Sequence, residues 1–372
     1  MDTLFNLKET SYWLLIIWTI AGGIILNMMP RTTLMVCGHI RERWHIFSAM
    51  LLVIPFILWT GYRPRTGDTG SYIKTFLAAS SSLQAVPRIL FSGEKDTLFY
   101  ASMTLLESFG INDYRHYFLF LATLQMLCMV STFRKYSYHF WFSIFLFIAS
   151  TDYISWMHNG IRQFTAVCIT FAAFDLMVRK KYIRYALVVL VAMQVHASAA
   201  IMLPLAFIMN GKALNRKTML TILGAALCIP FIDQFTPILE TLMADTQYGD
   251  VVSNEIWSTD DGTNALRVLV YSVPGLIALV GRRYVAASED PAINMCINAS
   301  IITMAIYLVS MVTSGIYVGR LPIYTTFYGY MMLPWMIDRM FEKASVRVIL
   351  FLAIVCYLGF FYVQMSMNWG LL

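Results

Sequence analysis

Charged residues are scarce in this sequence. Of its 372 residues only 13% are Asp, Glu, Lys or Arg, whereas 59% are hydrophobic and the mean hydropathy is +0.64. Because globular proteins carry about 25% charged residues, this composition excludes an ordinary water-soluble protein. Nearly every residue lies in or beside an apolar run. We therefore predict a single membrane domain over residues 1–372, with no separate soluble domain.

The sequence also lacks the motifs of many soluble enzymes. It contains no zinc-binding spacing, nucleophile elbow, dinucleotide fingerprint or Walker motif. None of its six cysteines forms a CxxC pair, and all but Cys37 lie in apolar runs, so we expect packing residues rather than disulfides or metal ligands. We expect no cofactor and no metal. The net charge of +6 is spread over short clusters instead of a basic patch, which argues against a nucleic-acid partner.

Twelve apolar runs are candidate membrane segments, since about 20 apolar residues span a bilayer and fewer suffice inside a bundle. The first run lacks the basic flank and cleavage site of a signal peptide, so we interpret it as a retained span. The expected fold is an all-α polytopic membrane protein with about 12 segments, some short or broken. The runs are 11–29, 46–61, 114–132, 138–150, 163–178, 185–196, 197–209, 218–232, 266–281, 292–313, 322–337 and 347–366.

The distribution of Lys and Arg predicts the orientation of these segments. Basic residues favour cytoplasmic loops. One alternating path places 17 of the 27 Lys and Arg residues inside and both termini outside, and its inside loops are 30–45, 134–137, 179–184, 210–217, 282–291 and 338–347. This path requires residues 185–209 to cross as two short helices that meet near His196. A break at membrane depth is tolerated where it lines a polar cavity. The alternative is a core histidine bonded to a neighbouring carbonyl.

Two large loops are then external. Residues 62–113 contain the helix-like stretch "DTLFYASMTLLESFG", which we expect to lie in the membrane interface. Residues 233–265 carry seven acidic residues and no Lys or Arg. This acidic loop is either a solvated loop that reinforces the topology or a site that handles divalent cations or sugars.

Arg162 is the clearest candidate for a functional residue. In "MHNGIRQF" it starts a helix, where the positive end of the helix dipole disfavours a cation. A bound anion would relieve this conflict. His158 lies four residues earlier and would share the same face if the intervening turn were helical. The alternative for Arg162 is simple anchoring at the interface.

Two further segments place polar groups on the external side. Arg320 precedes Tyr324 and Tyr328 at intervals of four, which predicts one stripe of a guanidinium and two phenols that is suited to sugars or to an interface belt. The loop "YRPRTGDTGSY" combines Arg65 and Asp68 with Tyr72. Its arginines suit an anion, and its aspartate suits a hydroxyl or a counter-charge.

Several of these elements together resemble the EpsG-like family, a branch of the Wzy-type bacterial polysaccharide polymerases. The resemblance is carried by "GDTGSY", "EKDTLFYASMTLLESFGI", "NGIRQF" and "GRLPIYTTFYGYMMLPW", and is strongest in the "IRQ…A…KK…H-x-S" core at 161–198. It implies a GT-C-like glycosyltransferase architecture in the cytoplasmic (inner) membrane, with the active site facing the periplasm or exterior. The implied activity joins undecaprenyl-pyrophosphate-linked oligosaccharides in exopolysaccharide, capsule or O-antigen synthesis.

The resemblance and the residue chemistry together define a predicted site. Its implied members fall into three roles: His196 and Asp68 as catalytic residues, Arg162, Arg320 and Arg65 as pyrophosphate ligands, and Gln163, His158, Tyr72, Tyr324 and Ser198 as substrate-binding residues. The expected partners are the lipid-linked oligosaccharide, the lipid bilayer, and a chain-length regulator and flippase of the same pathway. The alternatives are a glycan ligase for another acceptor, a flippase or transporter of lipid-linked sugars, and a membrane O-acyltransferase.

Overall fold

The computed structural model describes residues 10–231 and 262–370, which are almost entirely helical. The α-helices are α1 (Thr10–Leu26), α2 (Ile46–Tyr62), α3 (Thr69–Leu77), α4 (Ala85–Leu90), α5 (Thr97–Ser108), α6 (Tyr114–Tyr136), α7 (Phe140–Ala149), α8 (Asp152–His158), α9 (Ile161–Ala172), α10 (Phe174–Val178), α11 (Tyr182–Met193), α12 (Met202–Met209), α13 (Arg216–Cys228), α14 (Ala265–Val280), α15 (Arg282–Ala286), α16 (Pro291–Ser310), α17 (Ile323–Met340) and α18 (Lys343–Val363). Short 3-10 turns occur at Ala197–Ile201, Ile229–Phe231 and Val318–Arg320, and a π-turn occurs at Gln364–Asn368.

Helices occur at each of the twelve apolar runs, because a backbone in lipid must satisfy its hydrogen bonds internally. Within residues 10–231 and 262–370, four helical segments are long and apolar enough to cross a membrane: Tyr114–Tyr136, Ile161–Val178, Pro291–Ser310 and Lys343–Met367. Helices α7 and α8 meet at a 47° bend and make a fifth if they are counted as one broken span. Shorter apolar helices account for other runs. The all-α membrane class is confirmed, whereas twelve crossings and the GT-C-like architecture remain predictions.

One predicted inside loop contains regular structure of a different kind. Residues 30–45 form an antiparallel hairpin of β1 (Arg31–Val36) and β2 (His39–Trp44). Its register pairs Val36 with His39 across a two-residue turn at Cys37 and Gly38, both of which have positive φ. Such turns match the twist of two antiparallel strands. The predicted inside loop is thus a β-hairpin that connects α1 to α2, a structure that was not expected from the sequence.

The predicted break near His196 is present. Helix α11 ends at Met193, and His196 has an extended backbone with φ −158° and ψ 122° before the 3-10 turn that leads into α12. The segment before Arg162 was expected to be a short loop, but part of it is helical. It contains helix α8, and at the bend before α8 the Ser150 hydroxyl donates to Asp152 Oδ2 at 3.1 Å.

The chain divides into two compact units. The first unit comprises Met1–Leu203 and Lys343–Leu372. Within it α2 packs along α6, and α6 packs against α9. Aromatic rings fill this core: Tyr153 lies 5.9 Å from Phe56 and 6.1 Å from Phe164 between ring centroids. A buried bond from Gln125 Nε2 to Thr165 Oγ1, 2.8 Å long, links α6 to α9, as polar side chains do between membrane helices.

The second unit comprises Pro204–Glu342 and is organised around α16, which packs against α13, α14 and α17. The buried Asn298 of α16 fastens the turn before α13. Its Oδ1 accepts from the Leu214 amide at 2.9 Å, and its Nδ2 donates to the carbonyls of Met209 and Lys212. Most of the predicted acidic loop 233–265 lies outside the described residues, so its two interpretations stand as they were.

Candidate functional site

Arg162 is the second residue of α9, as predicted from the sequence. The helix begins there because Gly160 has a φ of 118°, which L-residues with a side chain rarely adopt. A Cβ atom at this position would also lie 3.0 Å from the ring of Trp156. Gly160 thus turns the chain sharply between α8 and α9, and this turn directs Arg162 towards α3 and α5.

The anion that compensates Arg162 is a side chain of the protein itself. Arg162 Nη1 lies 2.5 Å from Oδ2 of Asp96, whose side chain is only 8% exposed. Asp96 directly precedes α5 and has a φ of 58°, a left-handed conformation that Asp tolerates better than most residues. Because the carboxylate is buried and paired, this strained residue joins the start of α5 to the start of α9.

Two tyrosines complete the surroundings of the guanidinium. Arg162 Nη1 donates to the Tyr100 hydroxyl at 3.0 Å, and Nε donates to the Tyr72 hydroxyl at 3.3 Å. The guanidinium carbon also lies within 6 Å of both ring centroids, at cation–π distance. Burial raises the pKa of the Tyr72 phenol, although the Arg162 charge opposes this shift. Tyr72 is therefore a neutral phenol that orients the arginine.

Arg162 opens onto a pocket of about 870 Å³ between α4, α5 and α9, which we call the α4–α5 pocket. Its charged lining residues are Arg88, Glu94, Lys95, Asp96 and Arg162. Three cations face two carboxylates, and one carboxylate is already paired with Arg162. The excess positive charge and the arginine fork make this pocket suitable for a phosphate or pyrophosphate group.

Asp68 lies at the edge of this cluster. It is exposed and directly precedes α3, but its side chain does not cap that helix. Tyr72 follows one turn later, and the Asp68 carboxylate interacts electrostatically with that phenol. Asp68 is therefore an exposed acidic group near Tyr72 of the Arg162 cluster.

The buried Arg63 stabilises the loop between α2 and α3 through hydrogen bonds. Arg63 Nη1 donates to the Thr60 carbonyl at 2.6 Å, and Nε donates to the Thr69 hydroxyl at 3.3 Å. Its guanidinium lies 4.2 Å from the centroid of the Phe118 ring. Burial lowers the pKa of Arg63 to about 10, so it remains charged at neutral pH. This arginine fixes the start of α3, and thereby Tyr72.

His158 does not share a face with Arg162, because the chain turns at Gly160 instead of continuing as a helix. Its ring is 1% exposed and lies within hydrogen-bond distance of Thr66 Oγ1 at 2.7 Å and of the Tyr12 hydroxyl at 3.3 Å. Its carbonyl accepts from the Asp68 amide at 2.9 Å. These contacts anchor the loop that carries Asp68, so the position suits a structural residue.

Two other predicted site residues, Gln163 and Arg65, lie in different surroundings from Arg162. Gln163 is buried within the bundle next to Arg162 on α9. Arg65 is exposed and lies 5.6 Å from the ring centroid of Tyr114, at the start of α6. It is not among the residues that line the α4–α5 pocket.

His196 and Ser198 are brought together as predicted, but their bond directions are informative. His196 Nδ1 lies 2.7 Å from Ser198 Oγ and accepts the backbone N–H of Ser198 at 3.4 Å. A backbone amide can only donate, so Nδ1 is the acceptor of this bond. The role of His196 as a catalytic base remains a prediction.

The chain break near His196 is hydrogen-bonded to α5, the helix that begins directly after Asp96. The carbonyl of Gln194 accepts from the Leu98 amide at 2.8 Å, and Gln194 Oε1 accepts from the Thr97 hydroxyl at 3.0 Å. Both donors lie in the first turn of α5, immediately after Asp96. The predicted histidine and the predicted arginine therefore belong to one connected region of the first unit.

Arg320 and Tyr324 lie in the second unit. Arg320 ends a 3-10 turn and Tyr324 belongs to α17, which starts only after Pro322, so the predicted stripe does not run along one helix. Tyr324 and Tyr328 are both buried. This burial suits packing better than an exposed sugar platform, and the role of Arg320 remains a prediction.

Sequence reasoning missed four residues of the site: Asp96, Tyr100, Arg88 and Lys95. A possible signal was the position of Asp96 directly before a helix, but its partner is far away in the chain. Over the described ranges, no three His, Cys, Asp or Glu side chains are grouped so that they could hold a metal ion. The charges that could act on a ligand of the α4–α5 pocket come from arginine, lysine and carboxylate side chains.

The comparisons with known proteins support one assignment. The family model described as "EpsG family" matches residues 46–369, which is most of the chain and includes every residue of the α4–α5 pocket. No curated protein and no solved structure matches the chain significantly. With a family match of this length, the chain belongs to the EpsG family.

Proposed function

We propose that this protein polymerises lipid-linked oligosaccharide repeat units at the outer face of the bacterial cytoplasmic membrane. It would transfer an undecaprenyl-pyrophosphate-linked glycan to the non-reducing-end hydroxyl of another lipid-linked repeat unit. One observation carries the proposal: the Arg162–Asp96 pair opens onto a pocket of about 870 Å³ that also contains Arg88 and Lys95. Membership of the EpsG family supports a polysaccharide polymerase-type role.

The donor pyrophosphate would occupy the α4–α5 pocket. Arg162 is already oriented by Asp96, Tyr72 and Tyr100, so little reorganisation is needed when an anion arrives. Arg88 and Lys95 supply further positive charge on the same pocket wall. The lipid tail would remain in the bilayer while its charged head reaches the external loop region.

The proposed reaction is a displacement at the anomeric carbon of the donor. A bond forms between this carbon and the acceptor hydroxyl oxygen, and the bond between the carbon and the pyrophosphate oxygen breaks. The hydroxyl proton passes to a carboxylate, for which Asp68 is the exposed candidate beside Tyr72. The leaving pyrophosphate keeps the bonding electron pair, and the cations of the pocket stabilise its growing negative charge.

His196 would position a substrate in this scheme. The bond from the Ser198 amide to Nδ1 holds the ring in one orientation. In the proposed complex, Nε2–H would donate to a sugar hydroxyl or a phosphate oxygen. We propose this donor role in place of proton abstraction, which leaves Asp68 as the base.

Deletion of the gene tests the proposal. Surface or secreted polysaccharide from the deletion strain is separated on a gel beside the parent strain and a strain complemented with the intact gene. We expect the ladder of long chains to disappear while single repeat units remain. Complementation should restore the ladder, and complementation with Arg162→Ala should not.

Other outcomes identify the alternatives. Long polymer that remains lipid-linked without reaching its final acceptor would indicate a ligase. Lipid-linked repeat units that accumulate only inside the cell would indicate a flippase. A normal ladder in the deletion strain would contradict a role in polymerisation.

A further inference from the structure

A second pocket lies at the other end of the first unit. It has a volume of about 380 Å³ and is bounded by the β-hairpin and by residues of α1, α7 and α18. On its polar side are Arg31, Glu42 and Arg43, and on its apolar side are Ile24, Leu350 and Ile354. We call it the hairpin pocket.

The hairpin pocket is remote from the Arg162 site. Arg43 Nε donates to the carbonyl of Lys135 at 3.0 Å, near the end of α6. The loop of the Arg162 site contacts the opposite end of α6, where Arg65 lies over Tyr114. Helix α6 has 23 residues, so at 1.5 Å per residue these two ends are about 35 Å apart. The hairpin pocket therefore belongs to the opposite membrane face from the α4–α5 pocket.

The cations of the hairpin pocket are held in place. Arg31 Nη2 donates to Asn27 Oδ1 at 2.5 Å, and its guanidinium carbon lies 5.4 Å from the ring centroid of Trp44. Arg43 also donates from Nη1 to the Glu42 carbonyl at 3.1 Å. Two arginines line the pocket beside one carboxylate, which leaves an excess of positive charge.

The aromatic wall of the pocket depends on a close helix contact. The indole of Trp141 lies against α1 and donates from Nε1 to the Thr19 carbonyl at 2.8 Å. A Cβ atom on Gly23 would lie only 1.9 Å from this indole, so only glycine permits the contact. Tryptophan is typical of the boundary between lipid tails and headgroups. This wall thus places the pocket at that boundary.

The surface around the pocket is also amphipathic. Ile24 on α1 and Met28 just after it are exposed, and on the hairpin Met35 and Ile40 are exposed in the strands that carry Arg31 and Arg43. A soluble anion would use the arginines but not the apolar wall. A phospholipid uses both, because its phosphate and its acyl chains are joined in one molecule.

We propose that the hairpin pocket binds an anionic glycerophospholipid. Arg31 and Arg43 hold the phosphodiester headgroup, and an acyl chain lies along Ile24, Leu350 and Ile354. The basic loops of this membrane face predict that it is the cytoplasmic leaflet, which is rich in anionic lipid. The lipid would fix the hairpin against α1 and α18 at the inner surface of the membrane.

Native mass spectrometry tests this site. The full-length protein is reconstituted in nanodiscs of equimolar phosphatidylglycerol and phosphatidylcholine, released, and its retained lipids are counted. We expect the wild type to retain phosphatidylglycerol preferentially. Arg31→Gln with Arg43→Gln should lower this preference about tenfold, since both charge-assisted bonds to phosphate are lost. The matched control is Arg184→Gln with Arg282→Gln, which removes two exposed arginines from predicted inside loops and should leave retention unchanged.

A second variant separates lipid loss from misfolding. Ile354→Trp fills the apolar part of the pocket without changing charge, and it should also reduce retention while the melting temperature in neutral lipid stays near that of the wild type. Soluble glycerol 1-phosphate should not displace the retained lipid. Unchanged phosphatidylglycerol retention in both pocket variants would overturn the proposal. So would displacement by the soluble phosphate, or preferential retention of a polyprenyl phosphate when it is added.

Discussion

Asp96 and Arg162 are 66 positions apart in the chain, yet 2.5 Å separates Oδ2 of the one from Nη1 of the other. This pair joins the residue directly before α5 to the first turn of α9. It also satisfies part of the charge of Arg162 before any ligand binds. The arginine is therefore held ready in the α4–α5 pocket rather than being recruited by substrate.

Replacing Arg162 by Lys should strongly reduce polymer synthesis. The charge remains, but the planar fork that contacts Asp96, Tyr72 and Tyr100 is lost. Removal of one transition-state donor typically costs roughly 10²-fold in rate. The rate of chain extension in isolated membranes measures this effect. Arg115→Lys is the matched control, because Arg115 is the second residue of α6 and also lies near an Asp and tyrosines. If Arg162→Lys extends chains at the same rate as an active Arg115→Lys variant, Arg162 has no role in the mechanism.

Loss of Arg88 and Lys95 together should weaken binding of the lipid-linked donor. Both line the α4–α5 pocket, so Arg88→Gln with Lys95→Gln should raise the KM for donor about tenfold for each charge-assisted bond lost. The folded protein should be unaffected, since Lys95 is exposed and Arg88 lies on a short surface helix. Arg184→Gln with Lys181→Gln is a control of equal charge. A KM that changes equally in both double variants would point to general electrostatics instead of this pocket.

His196→Gln should retain much of the activity, whereas His196→Ala should lose most of it. Glutamine can donate a hydrogen bond as Nε2–H does, but it cannot take up a proton. The pH profile of the Gln variant should match that of the wild type. If both variants are equally inactive and the profile loses an ionisation, His196 acts as the base after all. Normal polymer from the Ala variant would make it a packing residue.

Asp68→Asn should lower turnover by roughly 10²–10⁴-fold, the usual contribution of a general base. Stability should not change, because Asp68 is exposed and does not cap α3. Asp113→Ala provides the opposite pattern, a loss of stability without a loss of activity. Asp113 Oδ1 accepts from the Arg115 amide at 2.8 Å at the start of α6, so its loss should cost about 1 kcal/mol of stability while activity remains. Turnover and the melting temperature of both variants distinguish catalysis from capping.

Single cysteines should report the predicted orientation. In a variant without the six native cysteines, a cysteine at Lys95 should react with an impermeant thiol reagent in intact spheroplasts. Cysteines at Lys181 and Lys343 should react only after the membrane is broken, although all three positions are exposed. Labelling of Lys181 from outside would reverse the assignment of membrane faces.

The sequence alone determined where the helices lie, because each apolar run must satisfy its backbone hydrogen bonds within itself in lipid. It also predicted that Arg162 starts a helix and, from the distribution of Lys and Arg, that the chain breaks near His196. The hairpin at residues 31–44 was missed, because it lies in a charged connection between two apolar runs, where hydropathy gives no signal for strands.

Only the tertiary structure decided what each polar group contacts. The partner of Arg162 depends on which helix N-termini are adjacent in the folded protein. The residues around Arg162 in the sequence do not indicate that this partner is Asp96. The left-handed conformation of Gly160 ends the helix between His158 and Arg162, so these residues do not share a helix face as their spacing had suggested. The orientation of the His196 ring depends on the Ser198 amide, which donates to its Nδ1. Patterns of hydrophobicity act along the chain, whereas ion pairs and hydrogen-bond directions depend on neighbours that only folding brings together.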